Sequence, residues 1–210
     1  DLYLSLTGFK HIAHEIHKHG DLEGGSFEFG YEESFGYLAG RDVRDKDAVV
    51  SCLLIAEMAA VSADSGETVA DRVENLYRRY GFAAENTISI YREGKVGLEK
   101  IARAMAHLRA NPVAGFASLG VQKLLDFQTG TVLHLASGEK RTLDFPESNV
   151  LLYQLDGHDF MCVRPSGTEP KIKVYFGCYS DDREAARDRQ SRFERVVLDR
   201  VNRLLEDGER

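Results

Sequence analysis

Hydrophobic positions along the chain follow two regimes. Up to about residue 110 they recur mainly at helical spacing, between short breaks marked by glycine. His11 to His19 predicts a short amphipathic helix closed by Gly20. Ser26 to Phe29 predicts a strand, and Gly30 to Gly40, with three glycines and several aromatics, a loop. Asp45 or Asp47 is placed to cap a helix running to about Ala63. That helix is apolar almost all round, which predicts burial on most sides. Thr68 to Tyr80 predicts a second helix, with Val69, Val73, Leu76 and Tyr80 at helical spacing and Gly81 as its stop. Thr87 to Tyr91 alternates and reads as a strand. Lys95 to Ala110 predicts a third helix with a Leu98, Ile101, Met105 and Leu108 stripe.

Beyond Asn111-Pro112 the period changes from helical to alternating. Short strands are predicted over Val121 to Phe127, Thr131 to Leu135, Val150 to Leu155, Asp159 to Val163 and Lys171 to Cys178. Gln128-Thr129-Gly130, Ser137-Gly138 and Asp156-Gly157-His158 supply turns. Asp181 to Glu206 predicts one amphipathic helix whose buried stripe is Phe193, Val197, Val201 and Leu204. The pattern divides the chain into an α/β part over residues 1–112, a linker over 113–120, and an α+β part over 121–210. The latter is a small antiparallel sheet backed by helix.

Composition narrows the functional classes. The chain has 210 residues, 43% of them hydrophobic and 29% charged, which is ordinary for a folded domain. A net charge of −7 argues against a protein whose main task is holding nucleic acid, but leaves room for a focused basic loop. No run reaches the roughly 18 apolar residues of a membrane span. The nearest, Ala48 to Ala63, contains Glu57 and reads as a buried helix. The start at Asp1 has neither Met nor a basic leader, so it suggests a processed chain or one cut from something longer. Cys52, Cys162 and Cys178 each lie in an apolar run and read as reduced core thiols of a cytoplasmic protein.

Four segments carry candidate chemistry. Arg164-Pro165-Ser166-Gly167-Thr168-Glu169-Pro170-Lys171 lies between two predicted strands. Its guanidinium, hydroxyls and amides suit a phosphate dianion, with Lys171 and Lys173 just beyond. The residues alone fit a plain β-turn equally well. Tyr31-Glu32-Glu33-Ser34 places carboxylates and a hydroxyl among aromatics, which suits sugar hydroxyls and C–H faces. Taken alone, a solvated acidic turn accounts for it better. Thr7-Gly8-Phe9-Lys10 carries a lysine near a helix start, where an anion or simply solvent could face it. His11, His14, His17 and His19 cluster, but their spacings and the nearby Glu15 and Asp21 fit a wet helix face better than a metal site.

LTGFK at 6–10, FGYEESFGYL…VRDKD at 29–47 and VRPSGTEPKIKVY at 163–175 occur together and in order. In this the chain resembles the α-D-phosphohexomutase superfamily, the phosphoglucomutases and phosphomannomutases, from about residue 6 to the C-terminal helix. The resemblance implies a fold class of α/β plus α+β. Its parts are an N-terminally truncated third domain of mixed α/β layers and a complete fourth domain with an antiparallel sheet backed by helix. It implies that Glu32 and Ser34 bind sugar hydroxyls and that Lys10 faces the same cleft. It implies that Arg164, Ser166, Gly167 and Thr168, with Lys171, grip the phosphate that is not being transferred.

The family moves phosphate between the 1 and 6, or 5, positions of a sugar through a phosphoserine and a bisphosphate intermediate. Its serine loop of TxSHNP type and its magnesium loop of DGDxDR type are both missing from this sequence. No catalytic or metal-binding residue is therefore expected in the chain. Mg2+ and glucose 1,6-bisphosphate are implied for the full-length enzyme only. The chain reads as the C-terminal part of a cytoplasmic mutase, inactive alone. Its implied partners are a sugar phosphate and the N-terminal domains, with no nucleic acid or membrane. A stand-alone sugar-phosphate binding or regulatory module without catalysis is the other reading.

Overall fold

The computed structural model describes residues 1–33, 35–116, 118–167 and 169–206. The chain divides into two compact units, Asp1–Asn75 and Leu76–Arg210. The first opens with helix α1 (Phe9–Glu15), which runs into a π-helical segment over Ile16–Leu22. Strands β1 (Phe29–Glu32) and β2 (Gly36–Ala39) form an antiparallel hairpin with Glu32 opposite Gly36. Helix α2 (Ala48–Asp64) follows, then α3 (Val69–Tyr80), which crosses the unit boundary. Local chemistry fixes both helix starts. Asp47, not Asp45, caps α2 by accepting from the Val49 and Val50 amides, both at 3.0 Å. Thr68 and Asp71 bond each other's amides at the head of α3, at 2.8 and 3.1 Å, a reciprocal capping box.

Phe9, Ile16 and Leu38 form the small core of this unit, with Ile12 and Phe27 packed against them. Four expectations need correction here. The first helix does not stop at Gly20, because that glycine keeps a right-handed backbone; Gly24, at φ 75°, takes the left-handed turn instead. The strand expected over Ser26 to Phe29 begins at Phe29, and the loop expected over Gly30 to Gly40 contains the β1–β2 hairpin. Gly30 and Gly36 mark close approach rather than a loop. A Cβ on Gly30 would meet Ile12 at 3.0 Å, and one on Gly36 would meet Lys46 at 2.5 Å. Finally, α2 is not buried on most sides. Val49 is 81% and Leu53 65% exposed, and Ser62 is the buried residue of the helix. A hairpin and a short helix offer too little surface to cover an apolar helix of 17 residues all round. No single described helix is long and apolar enough to cross a membrane.

The second unit holds β3 (Phe82–Tyr91), α4 (Gly94–Ala110), β4 (Gly115–Phe116), β5 (Leu119–Asp126), β6 (Thr131–His134) and β7 (Lys140–Thr142). Then come β8 (Leu151–Leu155), β9 (Phe160–Pro165), β10 (Lys171–Ser180) and α5 (Arg183–Glu206). The sheet order is β3-β10-β9-β8-β5-β6-β7, with β4 beside β5 and every pairing antiparallel. Strand β3 starts five residues before its predicted Thr87, because β10 pairs with it from Lys171 to Ser180. That long partner overrides the weak strand preference of Ala83-Ala84-Glu85-Asn86. The short β7 carries no alternation of apolar residues and left no pattern to find.

Helices α4 and α5 supply the core with Ile101, Met105, Leu108, Phe193, Val197 and Val201. The sheet contributes Leu151, Tyr153, Val163, Ile172, Val174 and Phe176. Phe193 packs on Phe116 and Phe176 at ring separations of 5.8 and 5.5 Å. The Tyr153 hydroxyl donates to the Leu108 carbonyl, and burial holds its phenol well above the usual range. The buried Asp126 accepts from Arg109 Nε at 2.9 Å and from the Thr129 hydroxyl at 2.8 Å, tying the end of α4 to the sheet. In contact terms β3 and α4 belong to this second unit, although the sequence pattern groups them with the first. Residues 113–120, expected as a linker, contribute Phe116 and Leu119 to its core.

The cysteines differ from one another. Cys178 is buried and its thiol pushed up to about 12, chiefly by desolvation. Cys52 is exposed on α2, contrary to the expected core thiol, because the face that carries it is uncovered. In native protein at pH 8, a thiol-specific chromogenic reagent should modify Cys52 in a fast phase that Cys52→Ser abolishes, while Cys178 reacts only on unfolding. A fast phase that survives Cys52→Ser rejects this assignment.

Candidate functional site

The predicted site residues fall into two groups, one in each unit. In the first unit the TGFK turn and the EES segment meet. Glu32 Oε1 accepts from the Gly8 amide at 2.5 Å, and the Thr7 hydroxyl donates to Glu33 Oε1 at 3.4 Å. Gly8 stands at φ 123°, so its amide is turned by a backbone conformation that favours glycine. The Glu32 side chain is only 7% exposed. A carboxylate so far buried calls for compensation, and Lys46 Nζ lies 3.8 Å from Oε2. The same ammonium sits 5.0 Å from the centre of the Phe9 ring.

The segment Arg44-Asp45-Lys46-Asp47, which reads in sequence as a charged helix start, thus splits its work. Asp47 caps α2 and Lys46 turns to Glu32. Asp45 is a surface carboxylate whose pKa is lowered by hydrogen bonds from Lys46. Lys10 is exposed in the first turn of α1. Ser34 lies outside the described residues, while the adjacent Phe35 has φ 62°, an unusual setting for a bulky residue. Within this unit the arrangement offers a half-neutralised carboxylate on a short hairpin, suited to accept from vicinal hydroxyls.

The second group lies where β9 turns into β10. Along both strands burial alternates, and Val163, Ile172 and Val174 point into the core. Arg164, Lys171 and Lys173 therefore project from the opposite face, away from α4 and α5. The register sets Arg164 directly across from Lys173. Side chains so placed stand about 5 Å apart at Cβ, and two like charges there repel. Among the described residues neither makes an ion pair. Sequence reasoning noted Lys173 only as a neighbour of the motif, because its position opposite Arg164 depends on strand register.

The loop itself is braced from inside. The Ser166 amide donates to the Lys171 carbonyl at 2.9 Å, the Lys171 amide to the Glu169 carbonyl at 2.8 Å, and the Glu169 amide to the Ser166 hydroxyl at 3.3 Å. Gly167 is not in the left-handed region. Instead no atom lies within 4 Å of where its Cβ would stand, which leaves that backbone open to a neighbour. Thr168 lies outside the described residues. Of the four N-terminal histidines, His19 sits between Glu15 at 3.3 Å and Glu23 at 2.7 Å. Among the described residues no three His, Cys, Asp or Glu side chains converge as a metal site.

A helix-and-hairpin unit with a buried glutamate is followed by an antiparallel unit with paired cations at one turn. The family model for phosphoglucomutase/phosphomannomutase alpha/beta/alpha domain III matches residues 1–80, and that for the C-terminal domain matches residues 126–194. The chain belongs to the phosphoglucomutase/phosphomannomutase family, of which it carries this C-terminal part. The phosphoglucomutase of Staphylococcus aureus strain MSSA476 is 39% identical over 170 residues, 81% of this chain and 30% of the relative. That of strain N315 is likewise 39% identical over 170 residues. The chain thus spans about 30% of the length of these curated relatives. The open form of the exocytosis-sensitive phosphoprotein pp63/parafusin of Paramecium, titled a phosphoglucomutase, shares the fold. It is 14% identical with a TM-score of 0.57, over 93% of this chain and 33% of that one.

Proposed function

We propose that the chain supplies two recognition parts of a phosphoglucomutase-type enzyme, a reader of sugar hydroxyls and a clamp for the phosphate that is not transferred. The observation that carries this reading is the cross-strand pair Arg164–Lys173 at the mouth of the loop. Two cations held opposite each other repel, and a phosphate dianion between them turns that repulsion into attraction. The guanidinium offers a planar fork and the ammonium a point charge, while Ser166, Gly167 and Thr168 supply neutral donors. Lys10, Glu32 and Ser34 are the proposed contacts of the sugar. Glu32, with one oxygen bonded to Gly8 and the other near Lys46, is pre-oriented to accept hydroxyl hydrogen bonds.

In the full-length protein the reaction we propose is phosphate movement between the 1 and 6, or 5, positions of a sugar phosphate. There the phosphoryl group passes through a serine and a bisphosphate intermediate. Mg2+ and glucose 1,6-bisphosphate belong to that reaction and are assigned to no residue of this chain. The serine loop that would carry the transferred group is missing from this sequence, so the chain alone is expected to bind without turnover. A cytoplasmic site of action and independence from nucleic acid and membranes form part of the same proposal.

Calorimetry with glucose 6-phosphate and glucose 1,6-bisphosphate, run beside an assay for glucose 1-phosphate conversion, tests it. Binding without conversion is expected. Conversion by the purified chain overturns the inactive-part reading, and absence of binding to either ligand overturns the clamp.

A further inference from the structure

Three cations crowd one turn, yet the structure does not treat them alike. Lys171 Nζ sits 2.5 Å from Glu169 Oε2 and 3.4 Å from the Tyr91 hydroxyl. The same ammonium lies 5.3 Å from the centre of the Tyr91 ring. Its side chain is only 13% exposed, and its ammonium is already engaged by a carboxylate and a phenol. Tyr91 ends β3, directly opposite Lys171 in register. One residue on, the Arg92 amide donates to the Pro170 carbonyl at 2.9 Å. Arg92 is in turn fixed from below, since its guanidinium donates to Asn202 at 3.0 Å and lies 3.6 Å from Glu206 near the end of α5. The end of β3 thus grips the loop at two neighbouring points, one through a side chain and one through the main chain.

We infer that Glu169, Lys171 and Tyr91 form a latch that pins the C-terminal leg of the loop to β3, so that Lys171 is a positioning residue and the anion faces Arg164 and Lys173. The inference rests on the phosphate-clamp reading for its second half and on the loop geometry alone for its first. Charge accounting agrees with it. Glu169 neutralises Lys171 locally, which leaves the two cations of the cross-strand pair to match a dianion. The Glu169 bond also raises the Lys171 pKa, so the ammonium stays charged and the latch closed throughout the neutral range. The latch has a reason to exist. The Ser166, Glu169 and Lys171 amides donate within the loop itself, and an anion site on a turn not anchored to the sheet would have to order it at each binding event.

The test uses the full chain with Lys171→Met, Lys171→Arg, Glu169→Gln and Lys173→Met, and two readouts. The first is amide hydrogen exchange over residues 164–173 without ligand. Lys171→Met and Glu169→Gln are each expected to speed exchange at Ser166 and Lys171 by about tenfold, the worth of one charge-assisted hydrogen bond. Lys171→Arg should restore part of the protection, and β9 and β10 beyond the loop should stay unchanged. The second is the salt dependence of binding to glucose 6-phosphate. Lys173→Met is expected to flatten it, whereas Lys171→Met weakens binding and leaves the slope. Unchanged exchange in both Lys171→Met and Glu169→Gln overturns the latch. A slope flattened by Lys171→Met as much as by Lys173→Met returns Lys171 to the anion and overturns the division of roles. If the unmodified chain binds no sugar phosphate, the clamp falls, while the exchange readout still decides the latch.

Discussion

Replacing Arg164 by alanine is expected to weaken binding of glucose 6-phosphate by about 30- to 150-fold, the loss that follows when a charge-assisted clamp worth ~2–3 kcal/mol is removed. In a full-length enzyme carrying this segment the same loss should appear mainly as a raised KM. Arg164 is chosen because it combines three properties. It lies near the end of a strand, and its core-facing neighbour Val163 is fully buried, so its backbone is fixed. It faces Lys173 across the ladder, so its removal halves the local cation count. Its planar fork has no equivalent in lysine, so Arg164→Lys should recover only part of the affinity. Isothermal calorimetry at two salt concentrations measures all of this. Unaltered affinity in Arg164→Ala would reject the clamp, and full recovery in Arg164→Lys would reject bidentate recognition.

Phe193→Ala is expected to lower the unfolding free energy of the second unit by ~3–5 kcal/mol. The side chain is completely buried in the middle of α5 and touches rings from both ends of the sheet unit, Phe116 before β5 and Phe176 on β10. Those rings are 5.8 and 5.5 Å away, one tilted and one edge-on, an arrangement that cannot close over a methyl group. A natural domain is stable by only ~5–15 kcal/mol, so the loss takes a large share of it. Urea unfolding followed by tyrosine fluorescence and by far-ultraviolet dichroism gives the value. Phe193→Leu, which keeps most of the volume, should fall by less than half as much. A change below about 1 kcal/mol in Phe193→Ala would show that α5 packs differently from the structure described above.

The two predictions touch features of unequal visibility in the sequence. The α5 stripe of Phe193, Val197, Val201 and Leu204 is plain in the spacing, and the structure buries all four. Such a helix is set by local periodicity, and local periodicity survives whatever the helix packs on. The strands β5, β6, β8, β9 and β10 are legible for the same reason, since alternation and turn residues are local. The first half of β3 and the whole of β7 escape because their pairing partner, not their own residues, makes them strands. In the first unit the glycines of the β1–β2 hairpin read as loop because sequence shows a missing side chain but not what would collide with one. The burial of α2 is misjudged because hydrophobicity states what a helix prefers, while exposure depends on what lies beside it.

For the candidate site, the sequence by itself determined the residue types and their order: a Gly-Phe-Lys turn, a Glu-Glu-Ser segment and an Arg-Pro-Ser-Gly-Thr-Glu-Pro loop. It thereby determined the family and the chemistry those residues can perform. Only the tertiary structure decided which of the charges meet. It brought Gly8 and Lys46 to Glu32 across more than ten residues of chain. It set Lys173 opposite Arg164 and gave Lys171 to Glu169 and Tyr91. Charge pairing acts through distances of a few ångströms, and strand register and chain reversal, which set those distances, are properties of the packed sheet rather than of any one segment.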